Sequence, residues 1–129
     1  MTVTNRQSTY TAQATADLSA QSSRFKVINI NGTLFAGAAG TLGGAIGVNI
    51  TSPRSGECAT YVYDGITKCV AGSGGISTVG YPVCPASGGF IAAAASGGPS
   101  IGRALELANS GDFVECFVDF TQAAAWPGV

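Results

Sequence analysis

The chain has 129 residues and a formal net charge of −1, from 6 Lys and Arg against 7 Asp and Glu. This length fits one domain, and the small number of basic residues excludes a nucleic-acid binder that works by counterion release. Only 10% of the residues are charged and none is His, so the commonest general base and metal ligand is missing, and much of the surface is expected to face other protein.

The first 24 residues are rich in Ser, Thr, Gln and Ala and poor in large apolar side chains. Such a stretch cannot offset its own ordering entropy, so we predict that residues 1–24 form an N-terminal arm, either flexible or ordered by a partner. Arg6 and Tyr10 belong to residue types that are enriched in binding hot spots. The segment is polar throughout and lacks the apolar stretch of a secretory signal, which predicts synthesis in a cytoplasm.

From Phe25 to Phe120 the pattern is one of short strands separated by turns. The dipeptides Asn31-Gly32 and Asp64-Gly65 carry the strongest short-range hairpin signal, so we predict a hairpin turn at each. In FVECFVDF, alternate residues are apolar, which is typical of a strand with one buried face. Strands recurring about every 8–12 residues predict a small all-β domain, a barrel or a sandwich, over residues 25–120. The tail, residues 121–129, has no alternation.

Four cysteines are spaced without a C-x2-C pair and without any His to complete a zinc site. They are Cys58, Cys69, Cys84 and Cys116. In the register of the predicted Asp64-Gly65 hairpin, the first two lie on a diagonal of about 7–8 Å, which is too far for an unstrained disulfide. We therefore predict free, mostly buried thiols.

The sequence contains a match to an enzyme motif and a candidate membrane span, and we reject both interpretations. The sequence GPSIG at 98–102 has the letters of a serine-hydrolase elbow, but no His is available to accept the serine proton. The uncharged stretch from Val27 to Pro53 is interrupted by Asn31, Gly32 and Asn49, so we expect buried strands and no membrane span. We predict no catalytic residue, no cofactor and no metal site, and we do not expect an enzyme.

Three pieces of sequence follow one another between Ser55 and Phe120. They are DGI at 64–66, AGSGGISTVGYPV at 71–83, and IGRALELANSGDFVEC at 101–116. In this order they resemble the small capsid cement, or head decoration, proteins of bacteriophages. The resemblance implies a compact, non-enzymatic β-domain on the outside of a capsid, often trimeric. It also favours a strand over a helix for IGRALEL.

We therefore expect a structural virion protein that binds the outer capsid surface of a tailed phage and stabilises the shell. Its expected partners are the major capsid protein and further copies of itself, a trimer being favoured, with no nucleic acid and no membrane. The alternative is a carbohydrate- or cell-surface-binding β-domain, in which Tyr61 and Tyr63 would join Tyr10 and Trp126 as stacking residues. The candidate interface residues are Arg6, Tyr10, Arg24 and Trp126.

Overall fold

The computed structural model describes residues 7–37, 43–95 and 98–120. Across these ranges the chain forms one eight-stranded sheet, and the prediction of a small, single all-β domain is confirmed. The described residues include no helix with the length and apolar character needed to cross a bilayer. The strands are β1 (Gln7–Gln13), β2 (Val27–Asn29), β3 (Ala45–Asn49), β4 (Cys58–Val70), β5 (Pro82–Ala86), β6 (Phe90–Ala93), β7 (Gly102–Ala104) and β8 (Phe113–Asp119), with a 3-10 helix at Gln21–Ser23.

The sheet is antiparallel and curls on itself. Its order is β2-β3-β4-β8-β7-β5-β6, and β1 pairs with the opposite edge of β4. Its two ends approach each other, because the Val27 N–H of β2 donates to the Gly89 carbonyl next to β6 at 2.8 Å. A second link is the bridge between Ala71, the residue after β4, and Ile91 in β6. The result is a nearly closed, barrel-like sheet.

The core follows the alternation read from the sequence. On β8, Val114, Cys116 and Val118 are buried while the residues between them point the other way. They pack with large side chains from the remaining strands and loops, including Phe35 and Phe120. A second, smaller cluster lies under the N-terminal segment and consists of Ala14, Leu18, Ile28, Ala59 and Tyr61.

The predicted hairpin at Asp64-Gly65 is wrong, because β4 runs straight through both residues. Each half of β4 finds a different partner on one edge: Tyr61 and Val62 pair with β3, and the residues from Asp64 onward pair with β8. Because both halves of β4 are already paired with other strands, they do not pair with each other as a hairpin would require. Gly65 still uses its conformational freedom, at φ 122°, beside a bulge at which the β1 register shifts by one residue.

The chain does reverse at Asn31-Gly32, although with a three-residue loop. The Gly32 N–H donates to the Asn29 carbonyl at 2.9 Å and the Asn29 N–H donates to the Thr33 carbonyl at 2.7 Å. Gly32 has φ 84°, as the last position of such a loop requires. The returning chain is a single bridge, from Leu34 to Ile28.

The N-terminal segment is not a separate arm over the residues described. β1 pairs with β4 from Gln13↔Cys58 to Gln7↔Gly65. Beyond it Leu18 is buried, and its N–H donates to the Pro53 carbonyl at 2.8 Å. The prediction failed because an edge strand contributes backbone hydrogen bonds while its side chains stay in water, and the side chains of β1 are almost all exposed. The expected boundary between residues 24 and 25 therefore falls inside the domain.

The four cysteines are unbridged, with Cys58 exposed and the other three buried. The sequence-based register placed Cys58 and Cys69 on one hairpin, which does not exist. Cys69 lies opposite Val114, and Cys116 is its diagonal neighbour on the same face. A hydrogen bond with the Cys116 side chain, together with burial, raises the pKa of the Cys69 thiol well above its ordinary value.

Candidate functional site

The solvent-facing side of strands β4, β8 and β7 carries large apolar side chains. Because Ile66, Phe117 and Arg103 lie opposite one another across the three strands, they form one row of this face. A second row holds Lys68 and Glu115, and the Leu105 N–H extends it by donating to the Glu115 carbonyl at 2.8 Å. We call this surface the outer face and define it by Ile66, Lys68, Arg103, Leu105, Phe113, Glu115 and Phe117.

Two aromatic rings dominate the outer face. Phe113 is 58% exposed and Phe117 is 47% exposed, although the buried side of the same strand is fully packed. Each exposed ring leaves apolar area in water that contact with a partner would cover. The row of charges between them, Lys68 and Glu115, is of mixed sign, so the face has no strong net charge. Such a surface is suited to contact with another protein.

One corner of the outer face is held rigid by a cluster of rings. Phe25 and Phe113 meet edge to face, with ring centroids 5.5 Å apart and an interplanar angle of 85°. The Lys68 ammonium lies 5.9 Å from the centroid of each ring. Phe25 itself has φ 64°, which is unfavourable for a bulky residue. Its N–H donates to the Asn49 carbonyl at 2.6 Å, and this bond helps to hold the ring in place.

A second surface feature is a groove between β1, β3, β4 and the end of β8. It has a volume of about 520 Å³. β1 creates it by placing Tyr10 directly opposite Tyr61, with ring centroids 5.9 Å apart and planes at 34°. Among the described residues, none that lines it is charged. We call it the tyrosine groove; its lining is Thr9, Tyr10, Thr11, Ala12, Ile30, Ile46, Tyr61, Tyr63 and Phe120.

The described lining of the tyrosine groove carries no charged side chain. Burial raises the pKa of the Tyr61 hydroxyl, and the neighbouring Tyr10 and Tyr63 hydroxyls raise it further. The groove therefore presents a neutral Tyr61 hydroxyl among aromatic and aliphatic side chains. Its described lining offers hydrogen bonds from Tyr and Thr hydroxyls but no ionic partner.

The structure separates the residues predicted to form the interface. Tyr10 is half-exposed and lines the tyrosine groove with Tyr61 and Tyr63, which unites three of the residues expected to stack on sugars. Arg24 is exposed after the 3-10 helix, where its Nη2 donates to Ser52 Oγ at 3.1 Å, and it does not line the groove. Arg6 and Trp126 lie outside the described residues.

Sequence reasoning missed the outer face. Phe113 and Phe117 share their side of β8 with Glu115, and that side was interpreted only as the solvent face of a strand. The available signal was the presence of two phenylalanines at solvent-facing positions of FVECFVDF, since exposed aromatic residues that share one face indicate contact with a partner.

The GPSIG sequence at 98–102, which matched a hydrolase motif, forms a turn. The Ser100 hydroxyl donates to the Gly102 carbonyl at 2.9 Å and accepts from the Gly102 N–H at 3.2 Å, which stabilises the turn before β7. Within the part of the chain that the structure describes, no three His, Cys, Asp or Glu side chains are grouped as a metal site requires.

No protein-family model matches the sequence, and no curated protein matches it. Among solved structures, the chain is similar to the N base of head fiber gp8.5 in bacteriophage phi29, with a TM-score of 0.62 and 17% sequence identity. The similarity covers 88% of this chain and 95% of that chain. At this level of identity it shows that the fold is shared over nearly the whole of both chains.

Proposed function

We propose that the chain is a structural protein of a bacteriophage head, bound to the outside of the capsid. The observation that carries this proposal is the fold shared with a phage head fiber base over 88% of the chain. The resemblance of residues 55–120 to capsid cement proteins points in the same direction from sequence. The two sources name different kinds of head protein, a fiber and a cement, and what they have in common is the head.

The finer part of the proposal is that the protein acts as a cement, or decoration, protein. A protein that binds only the assembled shell stabilises that shell in proportion to its occupancy. If three copies act together at one site, each weak contact is strengthened by the others. A charge-poor surface, with only 10% of residues charged, is suited to such packing against other protein.

The outer face is the surface we assign to the capsid contact. Phe113 and Phe117 are exposed large aromatic side chains, the type that dominates binding energy at interfaces. The edge-to-face contact with Phe25 already orders the Phe113 ring, so that ring loses little side-chain entropy on binding.

The alternative function is a carbohydrate- or cell-surface-binding β-domain, and the tyrosine groove is the observation in its favour. Three tyrosines share that groove, as stacking on sugars would require. A sugar ring, however, presents several hydroxyls that need directional partners, and the described lining supplies only Thr and Tyr hydroxyls. We therefore rank this function second.

The proposal is tested by decoration of heads that lack the protein. Wild-type chain and the Phe117→Asp variant are mixed with such heads, and bound chain is measured by co-sedimentation. We expect the variant to lose occupancy roughly tenfold or more, because a charge replaces a hot-spot ring. Val79→Asp is the matched control, since Val79 is 59% exposed and lies outside the outer face. Equal binding by Phe117→Asp and the wild type would overturn the assignment of this face.

A further inference from the structure

We propose that residues 121–129 of the chain bind in the tyrosine groove of the same molecule. The inference is independent of the function proposed above. It starts from Phe120, the last residue described before this segment, which is buried and lines the groove. The chain therefore leaves the sheet at the groove wall. Trp126 follows six residues later in the sequence and can reach at most about 20 Å from Phe120, enough to place it anywhere along a groove of this size.

The groove and the segment match in chemistry. The segment reads TQAAAWPGV and contains no Lys, Arg, Asp or Glu. The described lining of the groove is also uncharged, so no charge loses its hydration when the two surfaces meet. Trp126 and Pro127 are flat, apolar side chains of the kind that pack against tyrosine rings, and the ring pair Tyr10–Tyr61 offers such a surface.

The rim of the groove carries the apolar surface that an occupant would cover. Ile30 is 75% exposed and Tyr10 is 54% exposed, and both line the groove. Covering them removes apolar area from water, which is the dominant favourable contribution to such contacts. The floor is already packed, with Tyr61 buried against Leu18 and Ile28, so the groove is formed before any occupant binds.

We favour the segment of the same molecule over that of a second copy because the tether gives it a high effective concentration at the groove. A segment attached at the groove wall has an effective concentration in the millimolar range, set by its short tether. A second copy would have to exceed that concentration in free solution. The fraction bound within one molecule should therefore not change with the protein concentration.

The chain contains a single tryptophan, Trp126, whose fluorescence reports on the segment directly. In the full chain, we expect the emission to be blue-shifted and shielded from acrylamide. Tyr10→Ser and Ile30→Ser, at exposed rim positions that the fold does not need, should each raise the quenching constant roughly twofold or more. Tyr81→Ser is the matched control, since Tyr81 is 38% exposed and does not line the groove. Equal quenching in the rim variants, the control and the wild type would overturn the proposal.

A second measurement uses the full-length Trp126→Ala variant. Loss of the indole ring current should shift the methyl NMR signals of Ile30 and Ile46, which line the groove, and leave those of the distant core residue Ile76 in place. Unmoved Ile30 and Ile46 signals would contradict the proposal. So would shifts or shielding that appear only as the protein is concentrated, because that result identifies a second copy as the occupant. Displacement of Trp126 by added neutral oligosaccharide would support its place in the groove, whereas saccharide binding that shifts the Ile30 and Ile46 signals and leaves Trp126 emission unchanged would overturn it.

Discussion

Asn49 is a fully buried polar residue whose side chain links the 3-10 helix to the chain that follows β3. Its Nδ2 donates to the Ser23 carbonyl at 3.2 Å and to the Thr51 carbonyl at 2.8 Å. Its Oδ1 accepts from the Thr51 N–H at 3.1 Å and from Thr51 Oγ1 at 3.0 Å. The backbone of the same residue bonds to Phe25 and Lys26. It therefore fixes the 3-10 helix and the start of β2 against the end of β3.

We expect Asn49→Leu to lower the free energy of unfolding by about 3 kcal/mol, because it leaves several buried backbone groups without partners. Urea denaturation measures the effect. Asn109→Leu, at an exposed turn position, is the control and should change stability by less than about 0.5 kcal/mol. A similar small change for both variants would show that the Asn49 bonds are not what holds these segments together.

The cysteines give a second residue-level prediction. In the native protein only the exposed Cys58 should react rapidly with a thiol reagent, because the other three thiols are buried. Cys69 should be the slowest, since its raised pKa leaves little thiolate at neutral pH. Unfolding in denaturant without reductant should release all four thiols. Fewer than four after unfolding would reveal a disulfide, and rapid native labelling of Cys69 would contradict its burial.

For single residues, the sequence predicted burial better than it predicted polar contacts. The alternation of β8 placed Val114, Cys116 and Val118 in the core, because a period of two follows from strand geometry alone. Asn49 appeared only as an interruption of an apolar run. Its partners at Ser23 and Phe25 are more than twenty residues away, and no local pattern indicates them. Tyr10 could be marked as a binding residue type, but its pairing with Tyr61 depends on where β1 docks.

At the scale of elements, β4 shows why a strong local signal can fail. Asp64-Gly65 has the residues of a two-residue turn, and an isolated peptide with this sequence would favour a hairpin. In the folded chain, β1 and β3 pair with the first half of β4 and β8 pairs with the second half. Tertiary pairing therefore overrides the turn preference. Asn31-Gly32 keeps its turn because Asn29 and Thr33 pair directly across it.

The N-terminal segment packs as part of the folded domain, and Leu18 provides a test of this. Leu18 is only 3% exposed and packs with Ile28, Ala59 and Tyr61. We expect Leu18→Ala to cost about 2–4 kcal/mol, as large-to-small changes in a core do. Leu107→Ala, at a position that is 60% exposed, should cost less than about 0.5 kcal/mol. Thermal or urea unfolding compares the two. Equal stability of both variants would restore the interpretation of this segment as a dispensable arm.

At the scale of the whole molecule, two surfaces of different character lie on one curled sheet. The outer face projects Phe113 and Phe117 into solvent, and the tyrosine groove is bounded by β1 and the end of β8. Composition indicated a protein-facing surface, since a chain with 10% charged residues has few groups for solvation. It could not locate that surface, because Ile66 and Arg103 join Phe117 in one row only when β4, β8 and β7 align.

Immunogold electron microscopy tests the proposed location on the outer capsid surface. Under the proposed function the chain is part of a phage particle, so intact particles of that phage are labelled with gold-conjugated antibodies against the chain and imaged by electron microscopy. We expect many labels, regularly spaced over the head, and loss of that labelling when the gene is deleted. Labels confined to the tail would contradict the proposed head location and support the cell-surface-binding alternative. Purified particles that carry no label at all would also contradict the proposed location.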